Sequence, residues 1–385
     1  MFLFLLILAA LLPAVLDLRR YSRLARRGCR PSALHTGLWL VFDLLPFVMP
    51  LLYLFLDNTP PAVRTSMWLL WCWLFVQGPR FLYRLLRRLR RPRLGIALAA
   101  AVAATMLWGA LAGRRNLRTE RIECYSEQLP AAFDGFRIAL FSDLHLGALV
   151  DTEGEVGRLV ERINALHPDL VCFTGDLVNI RYTELDATAE RLLRGIEAPL
   201  FSVLGNHDVG TYIGDKRALP PAESCRRLVE RQQAMGWHLL QDTTVYLRRG
   251  DDSIALSGLS FDPALRKRRH DKRLPPAETA KCYRDVPPQL FDITLVHLPQ
   301  YWDQVRAAGY GDLTLSGHTH AMQCRLRFGD GRGWSPARFL YKRWGGRYDA
   351  DGSTLYINDG VGYVGYPMRL GARPEVTLIT LRRCE

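Results

Sequence analysis

The stretch Phe141-Ser142-Asp143-Leu144-His145-Leu146-Gly147 decides how this chain is read. It closes the apolar run Phe136 to Phe141, which is broken only by Arg137 and has the composition of a buried strand. At the end of that run the side chains change to metal-ligand types. Asp143 and His145 stand two apart, so in extended backbone both project to one face. A carboxylate beside an imidazole is a mixed oxygen–nitrogen pair suited to Mn, Fe or Zn.

Four later runs end the same way. Asp169–Thr174 leads into Gly175-Asp176, and Leu200–Leu204 into Gly205-Asn206-His207-Asp208. Asp292–Val296 leads into His297, and Asp312–Ser316 into Gly317-His318-Thr319-His320. Each is a short apolar strand finishing in Asp, Asn or His, often after a glycine that lets the backbone turn tightly. In open α/β sheets, ligands collect beyond the carboxyl ends of the strands, so the five polar sets are expected to converge. One such residue alone would read as a satisfied core histidine or a turn aspartate. Five sets, holding five of the nine histidines, would not.

The 385 residues divide sharply in composition. Residues 1–117 carry sixteen arginines against three acids (Asp17, Asp43 and Asp57), which accounts for the whole net charge of +13. These arginines alternate with four apolar blocks, Phe2–Leu16, Leu34–Leu56, Met67–Leu86 and Leu94–Ala112. A nucleic-acid footprint would instead place a basic face on a folded domain. No nucleic-acid partner is expected. The pattern predicts a membrane domain at 1–117 with about four transmembrane helices. The first block lacks a basic leader and a small-residue cleavage site, and reads as an uncleaved span. The third is expected to end near Gln77, ahead of Gly78-Pro79-Arg80, and Asp43, beside Pro46 and Pro50, is expected to pack helices. The first and third loops hold six arginines each and the second only Arg64. The positive-inside bias then puts the following domain outside the cytoplasm, in the periplasm where an outer membrane exists.

Residues 118–130 read as a polar connector and 131–385 as the globular domain. Helical segments Glu153–Leu166, Glu184–Ile196, Ala222–Met235 and Gln300–Ala308 alternate with the motif strands, as in a parallel α/β core. Trp237–Leu247, Ile254–Leu259, Thr354–Asn358 and Val376–Leu381 read as strands without long helices between them. A second sheet packed on the first, in a layered αββα arrangement, follows. Arg266–Arg273 is a basic loop, and the eight cysteines lack the Cys-x-x-Cys spacing of a zinc finger or thioredoxin.

Taken together, Asp143-x-His145, Gly175-Asp176, Gly205-Asn206-His207-Asp208, His297 and Gly317-His318-x-His320 resemble the signature of the calcineurin-like metallophosphoesterases, from about residue 130 to the end. Within that superfamily the chain resembles the membrane-anchored, YkuE-like branch. Ser142–Gly147, Asn358-Asp-Gly-Val-Gly362 and the tail around Pro367, Arg369 and Pro374-Glu375 carry that likeness. It departs where Ala321-Met322-Gln323 replaces the Gly-Gly-Gln that often follows the last histidine motif. The resemblance implies two divalent metals, Mn, Fe or Zn. Asp143, His145 and His320 would hold the first, Asn206, His297 and His318 the second, and Asp176 would bridge both. It also implies phosphoester hydrolysis by a metal-activated water. His207 would protonate the leaving oxygen, Asp208 would orient His207, and Arg369 would bind substrate phosphate. The expected substrate is a phosphorylated small molecule or lipid, as mono-, di- or pyrophosphate. The alternatives are a UDP-2,3-diacylglucosamine pyrophosphatase of lipid A synthesis and an inactive binding or sensor protein. The intact ligand set speaks against the last.

Overall fold

A computed structural model describes residues 2–29, 32–47, 58–215, 217–261, 274–328 and 333–384, with side chains from residue 11 onward. The chain forms two compact units, Met1–Leu111 with Gly365–Pro367, and Ala112–Val364 with Met368–Glu385.

The first unit contains α1 (Phe2–Arg26), α2 (Ala33–Asp43), α3 (Pro60–Arg88) and α4 (Pro92–Leu111). Among the described residues, Pro92–Arg115 is the one helix long and apolar enough to cross a membrane. The second apolar block runs into residues 48–57, outside the described residues, where the basic loop Arg266–Arg273 also falls. The third block does not end at Gln77: α3 continues through Gly78-Pro79 to Arg88. Pro79 forfeits one backbone hydrogen bond, while its neighbours gain side-chain bonds that hold the helix on. Gln77 Nε2 donates to Asp43 Oδ1 at 2.6 Å, and Arg80 Nη1 reaches the same oxygen at 3.2 Å. Arg80 and Arg84 also pair with the buried Asp17. Asp43, fully buried, joins α2 to α3.

The second unit is built from β1 (Arg118–Ser126), β2 (Arg137–Phe141), β3 (Leu170–Phe173), β4 (Leu200–Ser202), β5 (His238–Leu239), β6 (Thr243–Arg249), β7 (Asp252–Leu259), β8 (Asp292–Val296), β9 (Leu313–Ser316), β10 (Gly346–Ala350), β11 (Ser353–Ile357) and β12 (Glu375–Arg383). They form two six-stranded mixed sheets, ordered β1-β12-β2-β3-β4-β5 and β10-β11-β9-β8-β7-β6. Residues 118–126 are therefore not a connector. β1 pairs in parallel with β12 along its whole length and gives the first sheet its edge. The expected strand Trp237–Leu247 splits between the sheets, β5 joining the first and β6 the second. The motif strands divide too, β2, β3 and β4 lying in one sheet and β8 and β9 in the other.

Alternation explains the stacking. Ile138 and Leu140, Leu170 and Cys172, Ile293 and Leu295, Leu313 and Leu315 all enter one buried cluster between the sheets. The intervening Phe141 and Phe173 point to the opposite face, their rings 4.7 Å apart, with Trp237 against them. On that side α5 (Thr152–Asn164), α6 (Ala187–Leu193) and α7 (Pro221–Ala234) bury their apolar faces. Asp151 and Asp186 cap the first two, accepting from Gly154 N and Ala189 N. All eight cysteines are free.

Candidate metal centre

Every motif begins where its strand stops, and the backbone there is bent hard. Asp143, His145, Asp176, His318 and His320 all adopt left-handed backbone, with φ between 47° and 73°. Such conformations cost on the order of 1 kcal/mol or more each in a non-glycine residue and persist only where surrounding contacts over-determine them. Those contacts are visible. Asp143 N donates to Gly175 O, His145 N to Asp176 O, Val361 N to Ser142 O and Gly362 N to Asp143 O. The loop Asn358–Gly362 is thus the floor beneath Asp143. Glycine is required where loops touch: a Cβ on Gly205 would lie 2.1 Å from Asp176 Oδ1, and one on Gly317 would lie 2.3 Å from Asp143 Oδ2.

The turns bring all seven expected ligand residues into one crevice at the carboxyl ends of both sheets. His145 Nε2 and His320 Nε2 face each other at 3.0 Å, and Asp143 Oδ1 lies 3.3 Å from His320 Nε2. Beside them, Asp176 Oδ2 lies 3.7 Å from His145 Nε2 and 3.3 Å from His297 Nε2. Asn206 Oδ1 stands 3.0 Å from His297 Nε2, and the His318 ring is 5.0 Å from that of His297. Ligand atoms of Asp143, His145 and His320 lie within 4.8 Å of one another, as do those of Asp176, His297 and His318. Asp176 therefore stands between the two groups. His297 is aimed by its Nδ1, 2.8 Å from Thr174 O.

Burial makes this concentration of charge expensive, and the titrations register it. Burial and the neighbouring His207 hold His145 well below the usual imidazole range. His297 moves the other way: burial pulls it down, but Asp176 raises it to about 9. Asp143 is opposed by burial yet held below the usual carboxylate range by His320. Two carboxylates, an amide oxygen and four imidazoles are a donor set that fits two divalent cations of the Mn, Fe or Zn kind. Histidine nitrogens that oppose each other at 3.0 Å beside carboxylates fit it geometrically.

With that geometry the comparisons agree. Residues 136–322 match the family model described as calcineurin-like phosphoesterase. The chain carries a calcineurin-like metallophosphoesterase domain. It is 29% identical over 298 residues to the uncharacterized metallophosphoesterase YkuE of Bacillus subtilis, covering 75% of this chain and 95% of that protein. It is 29% identical over 305 residues to the transmembrane protein with metallophosphoesterase domain of Danio rerio, covering 76% of this chain and 63% of that protein. A shorter match, 30% identical over 119 residues, is to the UDP-2,3-diacylglucosamine pyrophosphatase LpxG of Chlamydia muridarum, covering 30% of this chain and 36% of that protein.

Two expected roles in the metallophosphoesterase domain are corrected. Asp208 does not serve to orient His207. It accepts from the backbone N–H groups of Asp176 (2.7 Å), Gly205 (2.9 Å) and Val178 (3.1 Å), tying two ligand loops together. Burial and Asp176 raise it to about 7. The carbonyl of Asn179 orients His207 instead, 2.5 Å from Nδ1. Arg369 does not face an open phosphate subsite. It is fully buried, donating to the carbonyls of Gly362, Asp359 and Ala372 and reaching His320 Nδ1 at 3.2 Å. Sequence reasoning missed two tyrosines. Tyr212 stacks on His207 at 4.2 Å and accepts from Asn206 Nδ2, and the Tyr341 hydroxyl lies 3.5 Å from His318 Nε2. Neither sits in a pattern that marks it; only the folded loops bring them here. Glu184 was missed for the same reason. It accepts from the N–H groups of Gly147, Asn179, Ile180 and Arg181, and burial raises it to about 7.

Proposed function

We propose that the protein is a membrane-anchored, dinuclear metal-dependent phosphohydrolase. The observation that carries this reading is the convergence of Asp143, His145, Asp176, His297, His318 and His320 at strand ends, with Asn206 Oδ1 3.0 Å from His297 Nε2 and Asp176 within 4 Å of both His145 and His297. Asp143, His145 and His320 would hold one cation, Asn206, His297 and His318 the other, and Asp176 both. Bound there, the cations would polarise the phosphoryl oxygens and supply the activated water that attacks phosphorus. The protein's own part is positioning and proton delivery. Because a carbonyl only accepts, the Asn179 contact leaves the His207 Nδ1 proton in place, and Nε2 is the atom that gives a proton to the leaving oxygen. Tyr212 holds the ring flat from one side. Full-length protein loaded with Mn should release nitrophenolate from nitrophenyl phosphate esters, and a chelator should stop it. Silence on mono-, di- and pyrophosphate substrates with every divalent metal tried would overturn the reading.

The anchor is the four-span domain, with the active site outside the cytoplasm. The arginine bias across the loops and the apolar helix Pro92–Arg115 support this. The substrate class that suits it is a lipid-linked or membrane-confined phosphoester. The chlamydial pyrophosphatase match favours a lipid-linked one, but that enzyme's substrate class is the alternative only if the site faces the cytoplasm. C-terminal alkaline phosphatase fusions should be active and green fluorescent protein fusions dark. The reverse pattern would move the site inside and make the nucleotide-sugar-lipid reading the leading one.

A further inference from the structure

Just past the last histidine motif the surface becomes apolar. Among the described residues of the second unit, eight large hydrophobic side chains are exposed, and five of them lie between residues 322 and 340. They are Met322, Leu326, Phe328, Phe339 and Leu340. The other three, Tyr125, Val150 and Tyr246, are scattered singly, which is ordinary for a protein surface. The five share one piece of structure. Leu326 and Trp334 exchange backbone hydrogen bonds at 2.8 Å, and the Trp334 ring packs edge-on to Phe339 at 6.3 Å. Ser335 Oγ then donates to Ala321 O, fastening the short helix Pro336–Phe339 to the turn after His320. Tyr341, next in the chain, is the residue whose hydroxyl approaches His318. The apolar edge therefore borders the candidate metal centre.

Two further observations give the edge a purpose. Ala321, Met322 and Gln323 run through three consecutive left-handed conformations, φ 47°, 48° and 55°. Glycine would relieve this strain, yet the chain places a half-exposed methionine there, and strain of that kind collects at functional positions. The charge is also one-sided. Residues 320–345 hold six Lys and Arg against one acid, Asp330. Arg325 is spent on the buried Asp359, Arg327 reaches Asp359 and Glu120, and Arg343 pairs with Asp303; Arg338 is exposed, and the Lys342 side chain, 3.7 Å from Asp303, is 79% exposed. Aromatic and aliphatic side chains interleaved with cations are the composition of a surface that enters the boundary between lipid headgroups and acyl chains.

We propose that the edge formed by residues 322–328 and 333–342 docks onto an anionic lipid bilayer, holding the mouth of the metal centre against phosphoesters carried at the membrane surface. This rests on the anchored reading of Pro92–Arg115. Only six residues separate α4 from β1, so the bilayer would be present at high effective concentration. The test uses the full chain in lipid nanodiscs without substrate, following amide hydrogen exchange of residues 322–328 and 333–342. Co-elution with the disc reports anchoring, and exchange reports docking, so the two can fail separately. In discs of phosphatidylcholine with phosphatidylglycerol, exchange should slow at least about fivefold relative to detergent, the equivalent of ~1 kcal/mol for even a single basic contact. Phosphatidylcholine alone or high salt should weaken the protection. Phe328→Ser with Phe339→Ser should remove it while leaving β8 exchange unchanged; Arg338→Ser with Lys342→Ser should reduce it without touching any apolar side chain. Equal exchange in anionic discs and detergent would overturn the proposal. So would protection that appears only when two chains share a disc, which would assign the edge to a second copy.

Discussion

The helical unit and the candidate metal centre both bury charge, and they resolve it in opposite ways. In the helical unit, Asp17 and Asp43 meet Arg80, Arg84 and Gln77, so each buried acid finds a cation or donor on a facing helix. In the metallophosphoesterase domain, carboxylates and imidazoles are turned toward one another: His145 faces His320, and Asp176 faces both His145 and His297. The first arrangement is closed within the chain and ties helices together. The second gathers lone pairs at one place, at the expense of five left-handed backbone positions, and suits cations from solution. A buried charge marks a functional site when the chain gathers like donors around it rather than an opposite charge.

The comparison can be broken most severely at Asp176. Asp176→Asn should empty both cation sites, since partners outside the ligand sphere alone change metal affinity by about 10–100-fold. Elemental analysis should show loss at both, and full occupancy would remove the bridging role. His207→Ala comes next. It should keep its metal and lose roughly 10²-fold or more in turnover on esters with poor leaving groups, but less on nitrophenyl esters. An equal loss on both would show that His207 does not deliver the proton.

The helical unit should respond in stability rather than chemistry. Arg80→Met leaves Asp17 and Asp43 short of a partner, a change expected to cost about 3 kcal/mol. Thermal or denaturant unfolding of the full chain in detergent would measure it. Metal content should not change.

The smallest effect concerns Asp292, at the far end of β8 from His297. It accepts from Ser257 and Thr294, but burial raises it from 3.8 to about 6. A carboxylate raised in the folded state holds its proton longer there than when unfolded, so stability should fall as pH rises from about 4 to 6. The drop should approach ~2 kcal/mol, given 1.36 kcal/mol per unit. Asp292→Asn should flatten that window, and an unchanged pH profile would show that the hydroxyl donors already compensate the charge.

The candidate ligand residues were legible before folding because the pattern repeats: an apolar run, three times closed by a glycine, then Asp, Asn or His, five times over. The two-sheet outline was legible from alternation and from the change after residue 237. Local pattern carries such information because one buried strand constrains only its own residues. What it could not carry is where separate segments meet. β1 looked like a connector because an edge strand exposed on one side has the polar composition of a linker, and only its pairing with β12 makes it a strand. The division of the five motif strands between two sheets depends on which edges find each other. Arg369 was recognisable as a cation near the site, yet burial beneath Gly362 made it a brace for His320 instead of a phosphate ligand. Asp208, Glu184, Tyr212 and Tyr341 acquired their places only through loops that close over long sequence distances. The sequence by itself determined which atoms can hold a metal, because donor type is a property of the side chain. Tertiary structure alone decided which of them face each other, because contact across more than a hundred residues is a property of the packed chain.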